Sequence, residues 1–381
     1  MFQQINDRLA SSAFSKIIEV EDTRVQRADP AEYQNVRAAF RTRNHQITIN
    51  DRLGLWQNAG WHGLGEVTEE GLSPTDAVKR YLGFWVEEHP VYAKIDGKET
   101  VLPAKITVRS DTREIMGMVS IDYVVMQNLA IGQFAEALVG EDVACQMETC
   151  GSLLGGRKVF LLLRVPAISR VGKTGADVTV PYLMLASAHD GSMAFSALWT
   201  RQRVVCNNSN TTALSGIDGK VERGEAFRIR HTANMVEAVN EARKVLGIAA
   251  KGVARNNAED SALSQHFLKP DGRTDYFRTV YASIYGPVDE KSTKEQDEAA
   301  RMRRDRIIGE WTTLSQSESN TFDGIGGTAW SMYNAVTEWM DWTRCGTRMS
   351  EDRADHSRVL GVASVAKRKA RRAAVALLSK W

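Results

Sequence analysis

Two arginines near the middle of the chain, Arg201 and Arg203, follow an apolar run and are followed in turn by Val204-Val205-Cys206. In an extended strand, residues two apart share a face, so both guanidinium groups are expected on one side of a sheet. Arginine binds phosphate with two parallel hydrogen bonds and stays charged at any working pH. The spacing therefore predicts an anion-binding sheet edge. The alternative interpretation is an ordinary solvated face.

Other cations extend this prediction along the chain. Binding to a nucleic acid needs cations that displace counterions from phosphates, together with surfaces on which bases can stack. The block Lys367–Arg372 covers more than one face of a predicted helix, which is more than amphipathic burial requires; its alternative interpretation is a solvated helix end. The candidate nucleic-acid-binding residues are Arg157, Lys158, Arg164, Arg201, Arg203, Arg228, Arg230, His231, Lys367, Arg368, Lys369, Arg371 and Arg372.

Aromatic residues are dense between Thr328 and Trp342, where Trp330, Tyr333 and Trp339 recur at helical spacing. Such a stripe is more typical of a buried helix face than of a stacking platform for bases. We therefore expect these rings in the core.

An enzymatic interpretation would depend on His189 and Asp190, with Glu148 or Cys206 nearby in a sheet. Neighbouring strand residues point to opposite faces, so the His-Asp pair is expected to form a turn in which Asp190 binds backbone groups. The sequence has no nucleophile elbow, metal-ligand spacing or dinucleotide fingerprint. We predict no catalytic residue, no metal and no cofactor. A hydrolase-type site near His189 remains the alternative.

The elements that must position these residues are mostly short strands. Tyr182–Ala188 and Met193–Thr200 read as a hairpin around the Asp190-Gly191 turn. Further strands are expected at 84–91, 105–109, 115–125, 143–150 and 158–166. Gly155 and Gly156 are expected to serve a hairpin turn rather than a phosphate loop, because no Lys-Ser/Thr ending or helix follows them. Helices are expected at 73–82, 128–139 and 234–247.

Composition sets the outer limits. The chain has 381 residues, 43% of them hydrophobic, and a formal net charge of +2, so any basic surface must come from local clustering. No segment reaches the roughly 20 apolar residues of a membrane span. The four cysteines lack metal-ligand spacing, and the N-terminus lacks the features of a secretory signal. The expected location is the cytoplasm.

The fold class that follows is α+β, with a mainly antiparallel sheet, packed helices and a helical C-terminal part. We divide the chain into an N-terminal arm at 1–60, an α+β core domain at 61–250, a polar connecting segment at 251–310 and a helical region at 311–381. The connecting segment is expected to be a surface helix or a mobile linker because of its charge runs.

Several stretches resemble one family, the uncharacterised phage/plasmid-like proteins that carry domain of unknown function 932. They are Trp61–Gly65, Asp122–Asn128, Glu148–Gly151, Gly156–Phe160, Ser187–Ser192, Arg203–Asn208, Ile229–Thr232 and Thr328–Glu338. They keep their order over most of the chain from about residue 60 onward. Trp342 departs from the pattern, where a His-type ending to the aromatic helix is expected.

The resemblance implies an origin in a phage or another mobile element and no established activity. The order of elements is also similar, more weakly, to the core of phage single-strand annealing proteins, which assemble into rings or filaments on single-stranded DNA. The resulting hypothesis is non-enzymatic binding or annealing of single-stranded DNA in recombination or replication, by a homo-oligomer without membrane contact. The alternative is a structural or host-interaction protein that acts through phage or host protein partners.

Overall fold

The computed structural model describes residues 72–138, 146–164, 168–203, 257–344 and 361–379, with the short segments 25–26, 53–56, 66–68, 226–229, 353 and 356–357. The predicted helix at 234–247 and most of the N-terminal arm lie outside these residues. In the described part, no helix is both long enough and apolar enough to span a bilayer.

The larger of the two sheets is organised around one long central strand. Its strands are β1 (Val25–Gln26), β2 (Leu53–Trp56), β3 (Glu66–Thr68), β7 (Gln146–Leu153), β8 (Lys158–Arg164), β9 (Ile168–Val171), β10 (Asp177–Ala188), β11 (Phe195–Arg203) and β12 (Ala226–Ile229). The order is β1-β9-β10-β8-β7-β2-β3, and β11 and β12 extend it from β10. Only β2 and β3 pair in parallel among these strands. All twelve residues of β10 are buried, as expected for a strand covered on both faces.

The predicted central hairpin is confirmed. Strands β10 and β11 pair from Thr179↔Arg203 to Ala186↔Ser196. In the turn, Gly191 has a φ of 75°, and the Asp190 carboxylate accepts hydrogen bonds from the backbone N and the hydroxyl of Ser192. The Asp-Gly pair therefore does what its chemistry predicts.

A second, three-stranded sheet comprises β4 (Val86–Ile95), β5 (Lys98–Arg109) and β6 (Ile115–Ser120). Its hairpin turns at Asp96 and Gly97, where φ is positive at both residues. Two helices flank the sheets, α1 (Pro74–Tyr81) and α2 (Asn128–Leu138). Ser73 caps α1 by accepting a hydrogen bond from the backbone N of Asp76, and Pro74 occupies the first turn.

The C-terminal half is a helical module with its own core. It contains α3 (helical residues 257–265), α4 (Pro270–Tyr285), α5 (Glu295–Ser315), α6 (Glu318–Thr321), α7 (Ala329–Glu338) and α8 (Val362–Leu378). Trp330 and Tyr333 on α7 are buried, which confirms that the aromatic stripe is core.

The interpretation of 251–310 as a polar connecting segment is corrected by this module. Tyr276, Phe277 and Val280 of α4, and Ile307 of α5, belong to the same hydrophobic cluster as Trp330. The charged residues of this stretch cover the outer faces of amphipathic helices, and the apolar residues between them form the core. Overall the fold is α+β with a helical C-terminal part, as predicted.

Candidate nucleic-acid interface

Arg201 does not lie on an open sheet edge. It is only 2% exposed, and Nη1 pairs with Oδ2 of Asp260 on α3. The other carboxylate oxygen of Asp260 accepts a 2.6 Å bond from Arg371 of α8, and Arg371 also binds Glu259 at 2.9 Å. Two arginines and two carboxylates thus form a neutral cluster that joins the sheet to two helices. The prediction that Arg201 contacts phosphate is wrong because its charge is already compensated inside the protein.

The electrostatics of this cluster follow from its burial. Burial and the neighbouring Arg371 charge lower the pKa of Arg201. Burial opposes the charge of Arg371 as well, but Asp260 and Glu259 outweigh it, and the pKa of Arg371 is raised. The Arg371 guanidinium lies 5.4 Å from the ring centroid of Tyr333, whose pKa burial raises to about 12. Both arginines are held by groups of the protein itself.

The C-terminal basic block divides between two sides of α8. Lys367 is completely buried, and its Nζ donates a 2.6 Å hydrogen bond to the buried Asp341. Arg368 and Arg371 are also buried, whereas Lys369 is half-buried and Arg372 is exposed. The prediction of a single basic grip is therefore corrected: three of its cations face the core.

Arg164 is a further buried cation, 3.7 Å from Glu148 on β7, and the Tyr182 hydroxyl donates to the same carboxylate at 2.9 Å. Its prediction as a nucleic-acid-binding residue is wrong for the same reason as the prediction for Arg201, because Glu148 compensates its charge inside the protein. Arg157 is exposed and Lys158 half-buried at the other end of β8. The side chains of Arg203 and Arg228, and all of Arg230 and His231, lie outside the described residues.

The structure also separates the groups of the alternative enzymatic site. His189 is buried, and Nε2 hydrogen-bonds Oδ1 of Asn128 at 2.8 Å, while Phe84 packs edge-on against its ring. Glu148 lies beside Tyr182, six residues from Ala188 along β10, which is about 20 Å of strand. The two side chains therefore do not share a site. Within the described residues, no cluster of His, Cys, Asp and Glu has the arrangement of a metal site.

A different place combines an open cavity, cations and an exposed ring. The turn between β9 and β10 faces α3 and the loop before α7 across a cleft of about 500 Å³. Arg170 and Lys173 line it from the sheet side. Phe267 lines it from the helical side with 65% of its surface exposed. We call this space the Phe267 cleft.

One wall of the Phe267 cleft is held by a carboxylate clamp. Asp323 accepts hydrogen bonds from the backbone N of Thr174, the Thr174 hydroxyl and the backbone N of Ala176. Its own carbonyl oxygen accepts from the backbone N of Lys173 at 3.0 Å. The turn comes so close that a Cβ on Gly172, where φ is +98°, would lie 2.8 Å from Cγ of Asp323. The clamp holds the backbone of the turn in place and therefore fixes the point from which the Lys173 side chain extends.

The backbone fixes Phe267 as well. Phe267 forms an isolated bridge with Thr328, Leu268 N donates to Gly327 O at 2.9 Å, and Ala329 N donates to His266 O at 2.9 Å. Beside the ring lies Arg273, whose Nη2 and the Phe267 Cε1 would both contact a Cβ placed on Gly327. No salt bridge pairs Lys173 or Arg273 with any residue that the structure describes. The cleft is thus cationic, rigidly framed and open.

Sequence reasoning missed this cleft because its residues come from three distant segments. The local signal was Gly172-Lys173-Thr174-Gly175, a lysine between glycines in a turn. Because a strand rather than a helix follows, the turn is not a nucleotide-binding loop of the Walker type. Nothing in the sequence marks Phe267 as exposed, since a single aromatic beside the start of a helix is usually packed.

Fold and site together define an α+β protein with a cationic cleft between a sheet turn and a helical module. A family model, described as "Domain of unknown function (DUF932)", matches residues 115–373, which is more than half of the chain. The chain belongs to this family. No curated protein and no solved structure matches it, so the weaker similarity to annealing proteins gains no support.

Proposed function

We propose that this protein is a non-enzymatic single-stranded nucleic-acid-binding protein of a phage or another mobile element, acting in recombination or replication. The observation that supports the proposal best is the Phe267 cleft: an exposed aromatic ring beside Lys173 and Arg273, which form no salt bridge with the described residues. Single-strand binding needs this combination, because cations follow the phosphates and aromatic rings stack on bases. The proposed contacts are Phe267 for a base and Lys173 and Arg273 for phosphates.

The arrangement favours a single strand over a duplex. A cleft of about 500 Å³ has the volume of a small-molecule site, which is less than a segment of double helix with its paired bases occupies. A base can reach the Phe267 ring only if it is unstacked, which single strands allow without breaking pairs. A short site of this kind gains affinity by repetition along the strand, so assembly of several copies on one strand belongs to the proposal.

The test is a fluorescence-anisotropy titration of a labelled single strand of about 40 nucleotides. The unaltered protein is expected to bind with a strong salt dependence. Phe267→Ala is expected to weaken binding by about 1–3 kcal/mol for each stacked base. The matched control is Met302→Ala, which removes an equally exposed apolar side chain on the outer face of α5. Absence of binding at low salt, or the same loss in both variants, would refute the proposal.

A second candidate function rests on a different surface. The three-stranded sheet exposes large apolar side chains, including Met118 at 68% and Ile115 and Val101 at more than half of their surface. Val101 lies directly opposite the exposed Tyr92 across the β4–β5 ladder, and adjacent exposed apolar groups are typical of protein-binding surfaces. A structural or host-interaction role through a protein partner would use this face. Met118→Lys would then abolish capture of the partner and leave strand binding unchanged.

A further inference from the structure

A second cationic site lies at the other end of α4, around the ring of Tyr285. The guanidinium Cζ of Arg303, on α5, is 5.7 Å from the ring centroid, and that of Arg344 is 5.6 Å from it. Tyr281 packs against the same ring at 4.8 Å between centroids. Two like charges are therefore gathered around one aromatic side chain that its neighbour holds in place.

Arg303 differs from the other arginines of α5 in its partners. Arg304 binds the carboxylates of Glu290 and Asp305, and Arg306 binds Glu310 at 2.9 Å. Arg301 donates to two backbone carbonyl oxygens. Arg303, in the same run, has only the Tyr285 ring as a described partner. Of the four arginines on this helix, only Arg303 is both exposed and outside any salt bridge among the described residues.

The position of Arg344 has a specific structural cause. A π-helical turn at Trp339–Thr343 follows α7, and the backbone N of Arg344 bonds the carbonyl oxygen of Trp339, five residues earlier, at 2.9 Å. The wider turn rotates the following side chain relative to a regular helix, and such turns are frequent at functional sites. Arg344 Nη1 contacts the sulfur of Met340 at 3.5 Å, a neutral partner. The turn directs a second cation towards Tyr285 without supplying an anion.

We propose that Tyr285, Arg303 and Arg344 form a binding site for a phosphate monoester group. The two guanidinium charges match the charge of about −1.5 to −2 that a monoester carries at neutral pH, which is larger than that of one phosphodiester. Planar guanidinium groups bind phosphate oxygens in pairs, and the ring orients them. Arg278, seven residues before Tyr285 and therefore on the same side of α4, adds an exposed cation to the approach.

Isothermal titration calorimetry of the full chain with inorganic phosphate, at constant ionic strength, tests the site. Saturable binding is expected, weakened roughly tenfold or more in Arg303→Gln and in Arg344→Gln, since each removes a charge-assisted hydrogen-bond donor. The control is Arg306→Gln, on the same helix with the same loss of charge. Circular dichroism verifies that each variant is folded. No saturable binding, or an equal loss in Arg306→Gln, would overturn the proposal.

Competition by oligonucleotides identifies the source of the phosphate. A short strand with a 5′-phosphate that displaces inorganic phosphate, when its unphosphorylated form does not, assigns the site to a strand end. Displacement by neither strand assigns it to free phosphate. Because Phe267→Ala leaves Tyr285 untouched, phosphate binding in that variant separates a failure of this site from a failure of the Phe267 cleft.

Discussion

The junction behind α3 and the cleft in front of it use the same types of residue in opposite ways. At the junction, Arg201, Arg371 and Asp260 are buried and compensate one another. In the Phe267 cleft, Lys173 and Arg273 form no salt bridge with the described residues, and Lys173 lines the open space. The difference teaches that a cation becomes available for a ligand only where the fold supplies no anion. The number of cations in the sequence does not determine which of them are available.

The largest effect is expected from breaking the junction with Asp260→Ala. The substitution removes the carboxylate that Arg201 and Arg371 share while both arginines stay buried. The free energy of unfolding should therefore fall by about 3–5 kcal/mol. Urea denaturation followed by circular dichroism measures it. Asp275→Ala, an exposed carboxylate on α4, should change the same quantity by no more than about 0.5 kcal/mol. Equal effects would show that the junction is not the compensated cluster described above.

The clamp that shapes the cleft is tested by Gly172→Ala. The added Cβ collides with the Asp323 carboxylate, and the residue has a positive φ that alanine disfavours. We therefore expect the free energy of unfolding to fall by about 1–3 kcal/mol and the hydrogen bonds from the turn to Asp323 to weaken. Gly286→Ala has a similar φ of +93° but no atom within 4 Å of the added Cβ. The excess loss in Gly172→Ala therefore measures the clamp. An identical loss in both variants would mean that backbone strain alone explains the loss in Gly172→Ala and that the Asp323 clamp contributes nothing to it.

Alkaline pH is expected to weaken the core without involving the cleft. Burial raises the pKa of the Cys150 thiol from 9.0 to about 12, and burial raises the pKa of Tyr333 from 10.0 to about 12. Both groups are neutral in the folded protein. Their contribution to the free energy of unfolding is therefore complete below pH 9 and is lost as the pH rises towards 12. The slope should approach about 1 kcal/mol per pH unit for each group. Urea denaturation across this range should show a shallower slope in Cys150→Ala; an unchanged slope would contradict the assignment.

The smallest effect on stability is expected from the open cations. Arg303→Gln and Lys173→Gln remove exposed charges with no described carboxylate partner, so each should change the free energy of unfolding by less than about 0.5 kcal/mol. Thermal denaturation of both variants beside Asp260→Ala checks the contrast. A loss of several kcal/mol in either would mean that the charge serves the fold and not a ligand.

Local chemistry made much of the fold predictable. Asp190 and Gly191 specified the hairpin turn, Ser73 and Pro74 the start of α1, and the aromatic spacing after Thr328 the buried face of α7. Each signal acts over a few residues, which is the range within which propensity and turn chemistry operate.

The site was less predictable because partners decide it. Arg201 and Asp260 are 59 residues apart, and nothing near either one announces the other. Lys367 and Lys369 differ by two positions on α8 and end on different sides of it, so a run of cations cannot be assigned to solvent from the sequence. Within the described residues, the contacts of Asp323 with Lys173 and of Thr328 with Phe267 bring both to one cleft, and each contact joins segments far apart in the sequence.

The central claim is that the cations of the Phe267 cleft bind the phosphates of a single-stranded nucleic acid. The salt dependence of single-strand binding tests this claim most directly. Anisotropy titrations at several salt concentrations should give Lys173→Gln a slope lower than that of the unaltered protein by about one unit. Lys98→Gln, which removes an exposed lysine at the tip of the β4–β5 hairpin, should leave the slope unchanged. Equal slopes for all three proteins would contradict the assignment of phosphate binding to the Phe267 cleft.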